Sequence, residues 1–322
     1  MKEKLFPILL IGSLSMLLAE VFSGASQTWF IEGWGLLLTF PLYLAHVLFF
    51  LWLAFRLKKI SLSHLYLFGV LFGLYESWIT KVLWEGYMDS VGPGLGTFLG
   101  VAVVEFPILV FFWHPVMSFI LPVLIFEILT GQVHLKHMKF LKKSRDKTAL
   151  IILFLIAVST FIANGNNFDL VSSNLSLVGT LLIVLVLYYL SRGSSLQIFN
   201  FDKTGFIVLS VYLFLLYVIT FVFLLPERIP GTVLPYISVI FFYILTVFLI
   251  LRSEKVSIKF IPMSSYLYNG REILLFAVIT VVATNVMCVF SNIASVILTG
   301  TYFVLMFVGV GIFVYVMFQD HL

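Results

Sequence analysis

Apolar windows separated by short polar breaks run along the whole chain. Each window is about 17–24 residues long, the length that an α-helix needs to cross roughly 30 Å of hydrocarbon. Segments of about ten residues with alternating polarity, which are typical of membrane β-barrels, do not occur in the sequence. The pattern predicts an all-α, polytopic transmembrane helix bundle with about ten crossings. The predicted spans are residues 5–22, 33–55, 62–84, 97–130, 148–163, 174–191, 205–224, 232–251, 272–290 and 292–317.

The region 97–130 is too long for one upright crossing and too short for two. As a single helix it would be about 51 Å long, whereas two crossings need roughly 40 residues and a turn. Two arrangements are therefore open, one kinked or partly re-entrant span and two short helices. Pro107, Pro115 and Pro122 interrupt the helical hydrogen bonds of this region and favour an irregular path.

The basic residues favour a single crossing of this region, because loops rich in Lys and Arg stay on the cytoplasmic side of a membrane. With one crossing, both chain termini are cytoplasmic and 17 of the 19 Lys and Arg residues, all except Lys81 and Arg228, face the cytoplasm. We therefore predict an N-terminal helical bundle (1–130), a basic cytoplasmic loop (131–147) and a C-terminal six-helix bundle (148–322) in a multi-pass protein of the cell membrane.

Composition supports this class and excludes several others. Apolar residues make up 61% of the chain and charged residues 11%, against about 25% charged residues in soluble domains. Cys288 is the one cysteine, which excludes an intrachain disulfide and a multi-cysteine metal site. The net charge of +4 comes from short loops and does not indicate nucleic-acid binding. The basic loop 134–147 is partly amphipathic, which predicts contact with anionic lipid.

Ionisable residues inside the predicted spans occur only within the first 130 residues. Such residues are costly in hydrocarbon and usually mark a functional site. The last six spans have none well inside them, so we expect these spans to form a scaffold or a lipid-facing or partner-facing bundle. The set in the N-terminal region is Glu20, His46, Glu76, Lys81, Glu105, His114 and Glu127.

Glu76 is predicted to face other helices rather than lipid. It shares one helical face with Gly69 and Gly73, and these glycines form a Gly-x-x-x-Gly surface suited to close helix contact. Lys81 lies about 140° around the helix from Glu76. The simplest role of Lys81 is therefore an ion pair with Glu85, four residues further on.

The other intramembrane residues each have a structural and a chemical interpretation. His46 is suited either to a helix–helix hydrogen bond or to a site. Glu105 and His114 are nine residues apart and would lie on opposite faces of a straight helix, but the intervening proline makes that geometry irregular. Glu127 ends a span beside the basic loop, where a salt bridge to Lys136 or a neighbour is the simplest expectation.

Two short stretches resemble motifs of the CAAX prenyl endopeptidase and bacteriocin-processing intramembrane protease superfamily. The stretch FGLYESWITK resembles its Glu-Glu-x-x-x-Arg motif, with Glu76 in the first position, Ser77 in place of the second glutamate and Lys81 in place of the arginine. The stretch VFFWH resembles the Phe-x-x-x-His motif, ending at His114. No later span carries the third motif, and the first 130 residues also resemble uncharacterised polytopic membrane proteins of prokaryotes.

This resemblance implies a hydrolytic site open to the membrane. Glu76 would act as the general base, and His114 would polarise the water or the carbonyl group. Glu105 and His46 complete the candidate catalytic set. The candidate substrate contacts are Ser77, Lys81 and Ser118.

Three functional classes follow. The first is an intramembrane peptidase-like hydrolase, or an inactive relative, acting on a hydrophobic peptide or lipid-like substrate. The second is a proton-coupled carrier that uses the same residues as a relay, although paired interrupted helices are not evident in the two halves. The third is a non-catalytic scaffold. No nucleotide-binding, dinucleotide-binding or zinc motif occurs, so the sequence names no cofactor and predicts no metal site.

Overall fold

The computed structural model describes residues 2–319 and is almost entirely helical. Within this part of the chain, nine helices are long and apolar enough to cross a membrane. A further helix of 19 residues, Leu62–Thr80, covers most of the predicted span 62–84 that contains Glu76 and is less apolar than the nine. The all-α polytopic class is therefore confirmed. Residue 1 and residues 320–322, where the prediction of cytoplasmic termini falls, lie outside the described residues.

The elements follow one another with short connections. The α-helices are α1 (Lys2–Met16), α2 (Phe40–Leu57), α3 (Leu62–Thr80), α4 (Val82–Glu85), α5 (Leu121–Thr130), α6 (Met138–Leu141), α7 (Arg145–Gly165), α8 (Leu170–Leu190), α9 (Lys203–Phe223), α10 (Leu234–Arg252), α11 (Gly270–Val289) and α12 (Ser291–Met317). The π-helical segments are Leu17–Val21, Gly35–Thr39 and Pro107–Ile120, and the 3-10 turns are Leu196–Phe199 and Pro226–Arg228. Two antiparallel pairs are formed by β1 (Thr97–Phe98) with β2 (Val101–Ala102) and by β3 (Gln132–His134) with β4 (Phe260–Pro262).

The 97–130 region contains a single span. Residues Pro107–Thr130 form one helical stretch of 24 residues, and the preceding residues form the short β1–β2 hairpin. The alternative of two short helices is therefore wrong. The excess length lies in the residues before the helical stretch, where the paired strands of the hairpin satisfy each other's backbone groups.

The first 14 residues of this span are π-helical, and we refer to Pro107–Ile120 as the π segment. Pro115 lies inside it and has no N–H to donate to the carbonyl oxygen five residues earlier, that of Val110, which is its partner in a π-helix. The hydroxyl of Tyr66 donates to the carbonyl oxygen of the next residue, Phe111, at 2.7 Å. This hydrogen bond ties α3 to the π segment close to the position that the proline disturbs.

Close approach between α3 and the π segment depends on two glycines. A Cβ atom at Gly69 would lie 2.4 Å from Cα of Pro115. A Cβ atom at Gly73 would lie 3.0 Å from Cα of Val110 and 3.3 Å from Cβ of His114. The Gly-x-x-x-Gly face predicted from the sequence therefore does form a close helix contact, and Glu76 lies one turn further along the same helix.

Contacts along the chain group the residues into two compact units, each built from three separated segments. Unit 1 comprises the described residues of Met1–Leu48, Leu121–Asn200 and Ile258–Thr301. Unit 2 comprises the described residues of Phe49–Ile120, Phe201–Ser257 and Tyr302–Leu322. The units therefore interleave along the sequence and do not follow the sequential division at residues 130 and 147.

Burial differs strongly between the early and the late spans. In Pro107–Thr130, 78% of the span is buried, whereas the six later spans are only 17–39% buried. Large apolar side chains such as Phe214, Phe248 and Phe307 are more than half exposed. These helices therefore present an exposed apolar surface, which is suited to contact with lipid or with a partner.

Candidate functional site

Glu76 and His114 form a buried acid–imidazole pair in unit 2. Oε2 of Glu76 lies 2.9 Å from Nε2 of His114. On the other side of the ring, Nδ1 of His114 lies 3.1 Å from Oγ of Ser118. The side chain of Glu76 retains 16% exposure, whereas Ser118 is fully buried. The three residues thus form a line of polar groups that is accessible only at the Glu76 end.

The packing of α3 on the π segment brings these residues together. Gly73 leaves room for the first side-chain carbon of His114, and the rings of Phe72 and His114 lie 5.3 Å apart. Ser118 is four residues after His114 and therefore lies on the same side of the π segment near its ring. The sequence suggested that Glu76 faces a neighbouring helix, but the identity of the partner residue depends on the register of two segments about 40 positions apart.

Glu105 is the second buried carboxyl of unit 2 and precedes the π segment. It is 4% exposed. Its Oε1 atom accepts a hydrogen bond from the backbone N–H of Gly94 at 2.9 Å. Its Oε2 atom has no hydrogen-bond partner among the described residues. Glu105 begins the helical turn that leads into the π segment. The residues between it and His114 are mostly π-helical, so the straight-helix expectation that the two side chains face opposite ways does not apply.

Tyr87 and Tyr302 belong to the same polar region and were not singled out from the sequence. The hydroxyl of Tyr302 donates to the hydroxyl oxygen of Tyr87 at 2.7 Å. The charges of Glu105 and Glu76 both act on the Tyr87 hydroxyl, and the charge of Glu105 also acts on Tyr302. Nothing in the local pattern marks either tyrosine, because they are 215 positions apart in the chain.

Two of the candidate substrate-contact residues, Ser77 and Lys81, are buried in different surroundings. Ser77 is fully buried, and its Oγ atom has no hydrogen-bond partner among the described residues. Lys81 adopts a left-handed backbone conformation, ends α3 and is fully buried. Its ammonium group donates to the carbonyl oxygens of Thr220, at 3.1 Å, and Leu224. The expected Lys81–Glu85 pair is therefore replaced by contacts with the C-terminal end of α9, where the helix dipole favours a cation.

His46 belongs to unit 1 and not to the unit that holds Glu76 and His114. It lies in α2 and is 1% exposed. Its Nδ1 atom lies 2.8 Å from the carbonyl oxygen of Leu42 in the preceding turn. This local contact agrees with the interpretation of His46 as a structural histidine.

Glu127 forms a second acid–imidazole pair, in unit 1. It is fully buried, and its Oε2 atom lies 2.9 Å from Nδ1 of His137. Its Oε1 atom accepts a hydrogen bond from the backbone N–H of His134 at 2.9 Å. The partner of Glu127 is therefore a neighbour of Lys136, His137, and not Lys136 itself. Lys136 is exposed, and the cost of burying a carboxylate favours two donors that are buried with it.

Replacing Glu127 with Leu is expected to lower the free energy of unfolding by about 3 kcal/mol, because two buried donors lose their acceptor. Glu127→Gln is the matched control and should cost clearly less, since its amide oxygen still accepts from the N–H of His134. Unfolding by SDS in mixed micelles measures both values. Equal losses of unfolding free energy for the two variants would show that the hydrogen bonds to the carboxyl oxygens of Glu127 do not stabilise the protein.

A third network fixes the beginning of α3 in unit 2. Ser253, at the C-terminal end of α10, has its Oγ atom 2.9 Å from Nζ of Lys59 and 2.9 Å from Nε2 of His64. Ser61 caps α3 by accepting a hydrogen bond from the backbone N–H of His64. Desolvation, together with the charge of Lys255, lowers the pKa of Lys59. The network ties α10 to the helix that carries Glu76 and has a structural role.

Metal-ligand groups are sparse in the described part of the chain. No three His, Cys, Asp or Glu residues there are grouped in a way suited to a metal ion.

The chain is similar to other membrane proteins along almost its whole length. Residues 9–319 match a family described as an uncharacterized membrane protein family. An uncharacterized protein of Archaeoglobus fulgidus is 42% identical over 156 residues, which cover 47% of this chain and 49% of that protein. The chain thus spans about half the length of this relative. No solved structure matches the chain.

Proposed function

Because the chain belongs to this uncharacterized membrane protein family, we propose its function from the geometry of the site: it is a hydrolase that cleaves a carbonyl-containing bond in a substrate embedded in the membrane. The observation that carries the proposal is the Glu76–His114 contact of 2.9 Å, in which the Glu76 side chain remains 16% exposed. A carboxylate held in this way has one oxygen available to take a proton from water.

The hydrogen bonds favour one arrangement of protons. With Glu76 ionised, Nε2–H of His114 donates to Oε2 of Glu76, and the hydroxyl of Ser118 donates to Nδ1 of His114. In this arrangement His114 orients Glu76 and is a positioning residue, rather than the group that polarises the substrate. Ser118 fixes the ring of His114. Full burial makes Ser118 unsuitable as a nucleophile, because a nucleophile must reach the carbonyl carbon.

The reaction proceeds through water. Glu76 accepts a proton from a water molecule while the water oxygen forms a bond to the carbonyl carbon of the substrate. The bond between that carbon and the leaving group then breaks, and the leaving group receives the proton from Glu76. The products are a carboxylic acid and the protonated leaving group, so that one water is consumed and Glu76 is regenerated.

The surroundings favour a hydrophobic peptide or a lipid-like molecule as substrate. The pair lies in an apolar unit, and the resemblance to CAAX-type intramembrane proteases supports a substrate that enters from the bilayer. Ser77 and Lys81 differ from the corresponding motif residues, and the contacts of Lys81 with α9 leave its ammonium group engaged. The proposal therefore rests on Glu76 and His114.

Oxygen-isotope labelling tests the proposal for any substrate whose cleavage yields a carboxylic acid. Protein reconstituted in liposomes is incubated with membrane lipids and small membrane peptides in water enriched in the heavy oxygen isotope. Mass spectrometry should detect labelled carboxyl groups with the wild type and not with Glu76→Gln. Glu76-dependent proton movement across the vesicle membrane without labelled products would instead identify a proton-coupled carrier and overturn the proposal.

A further inference from the structure

The unpartnered oxygen of Glu105 requires an explanation because buried carboxyl oxygens are normally hydrogen-bonded. Glu105 is 96% buried, since 4% of its surface is exposed. One carboxyl oxygen is held by Gly94, and the other has no described partner. No Lys or Arg among the described residues forms an ion pair with Glu105 or Glu76. An uncompensated acceptor of this kind indicates a missing donor.

The Tyr87–Tyr302 pair, on which the charge of Glu105 acts, provides further acceptor capacity. Tyr302 uses its own hydrogen for the bond to Tyr87, so that the oxygen of Tyr302 remains able to accept. The two rings are steeply inclined to each other, at 62°, with their centroids 5.9 Å apart. Aromatic faces and carboxylate oxygens both attract organic cations. The groups around Glu105 are therefore suited to a ligand that donates hydrogen bonds and carries positive charge.

We propose that Glu105, Tyr87 and Tyr302 form a subsite for the ammonium group of an amphiphilic substrate. This inference rests on the proposed hydrolase, because it names the class of substrate that Glu76 and His114 act on. An ammonium group has three donors and no acceptor, which matches the orphan oxygen of Glu105 and the phenol oxygen of Tyr302. The apolar tail of such a substrate would remain in the surrounding membrane, and its carbonyl group would lie beside Glu76.

The position of Glu105 fits recognition at the end of a bilayer-embedded molecule. Its partner Gly94 lies in the loop between α4 and β1 and is exposed. The charges of Glu105 and Glu76 both act on the hydroxyl group of Tyr87. The residues of the ammonium subsite and of the acid–base pair all belong to unit 2.

Equilibrium binding of radiolabelled dodecylammonium to the full-length protein in zwitterionic nanodiscs tests this subsite. The wild type should bind saturably above the background of empty nanodiscs, and dodecanol should not compete. Glu105→Gln should weaken binding at least about tenfold, because a charge-assisted hydrogen bond is lost. Tyr302→Phe should weaken it about threefold, because a neutral hydrogen bond is lost. Glu85→Gln, which removes a carboxylate elsewhere in the same unit, should bind like the wild type.

The outcomes distinguish a failure of the ammonium subsite from a failure of the proposed hydrolase. Glu76→Gln should retain binding within about threefold while losing isotope incorporation, since it keeps the Glu105 subsite. Equal binding by the wild type and Glu105→Gln, competition by dodecanol, or stabilisation by sodium ions alone would overturn the ammonium subsite. If Glu105→Gln does not fold, as judged by its thermal unfolding, Tyr302→Phe and Tyr87→Phe decide the question.

Discussion

Glu76→Gln is expected to lower the rate of isotope incorporation by about 10²–10⁴-fold, the usual contribution of a positioned general base. Gln is similar to Glu in size and can keep a hydrogen bond to His114, so the fold should survive while the proton acceptor is lost. Initial rates per mole of folded protein in liposomes measure the effect. Glu85→Gln removes the same charge from the neighbouring helix α4 and should leave the rate unchanged.

Variants of His114 separate positioning from direct catalysis. His114→Ala should lower the turnover rate by about 10²-fold, because Glu76 loses its orientation. His114→Gln, whose amide can still donate to Glu76, should recover a substantial part of that loss. A side chain that polarised the substrate directly would not be rescued by Gln.

Full activity of Glu76→Gln, or equal losses of activity for Glu76→Gln and Glu85→Gln, would contradict the role of Glu76 as base.

Gly69→Val is expected to have the largest effect on stability, lowering the free energy of unfolding by about 3 kcal/mol or more. Its Cβ atom would lie 2.4 Å from Cα of Pro115. This atom belongs to the backbone and cannot rotate away, so α3 and the π segment must separate. The separation would also pull Glu76 away from His114, and hydrolysis should fall together with stability. SDS unfolding in mixed micelles and the isotope assay measure the two effects.

Two further glycines provide controls for this prediction. Gly73→Ala places its Cβ atom 3.0 Å from Cα of Val110, a milder overlap that should cost less than Gly69→Val. Gly311→Ala lies in the same unit within α12, at a position where the added Cβ atom has open space among the described residues. It should be neutral or stabilising by up to about 1 kcal/mol, since Ala is the better helix former. Similar losses at Gly69 and Gly311 would refute the close-contact explanation.

Much of the fold was predictable because membrane insertion depends on local hydropathy. The apolar windows predicted most of the long helices to within a few residues, and the positive charges favoured one span for the 97–130 region, whose helical part starts about ten residues later than predicted. The hairpin before Pro107 was not predicted, since two-residue strands leave no periodic pattern. The left-handed end of α3 at Lys81 was also missed, because the side chain is held there by carbonyl groups from a distant helix.

The candidate site was predicted in part. Glu76 and His114 stand out because charge and imidazole are rare in hydrocarbon, and the glycine spacing indicated which face of α3 packs against another helix. Their direct contact, the orphan oxygen of Glu105 and the pair of tyrosines depend on which helices pack together. The same holds for Glu127, whose partner is a buried histidine and not the nearest lysine in the sequence.

The sequence by itself determined that this protein is a polytopic helical membrane protein, where its helices run and which residues are out of place in an apolar environment. These properties follow from the local cost of transferring each segment from water to lipid. The tertiary structure alone decided which of those residues meet and how the two units interleave along the chain. Side-chain partners are selected by the packing of segments far apart in the chain, and that packing has no local signature in the sequence.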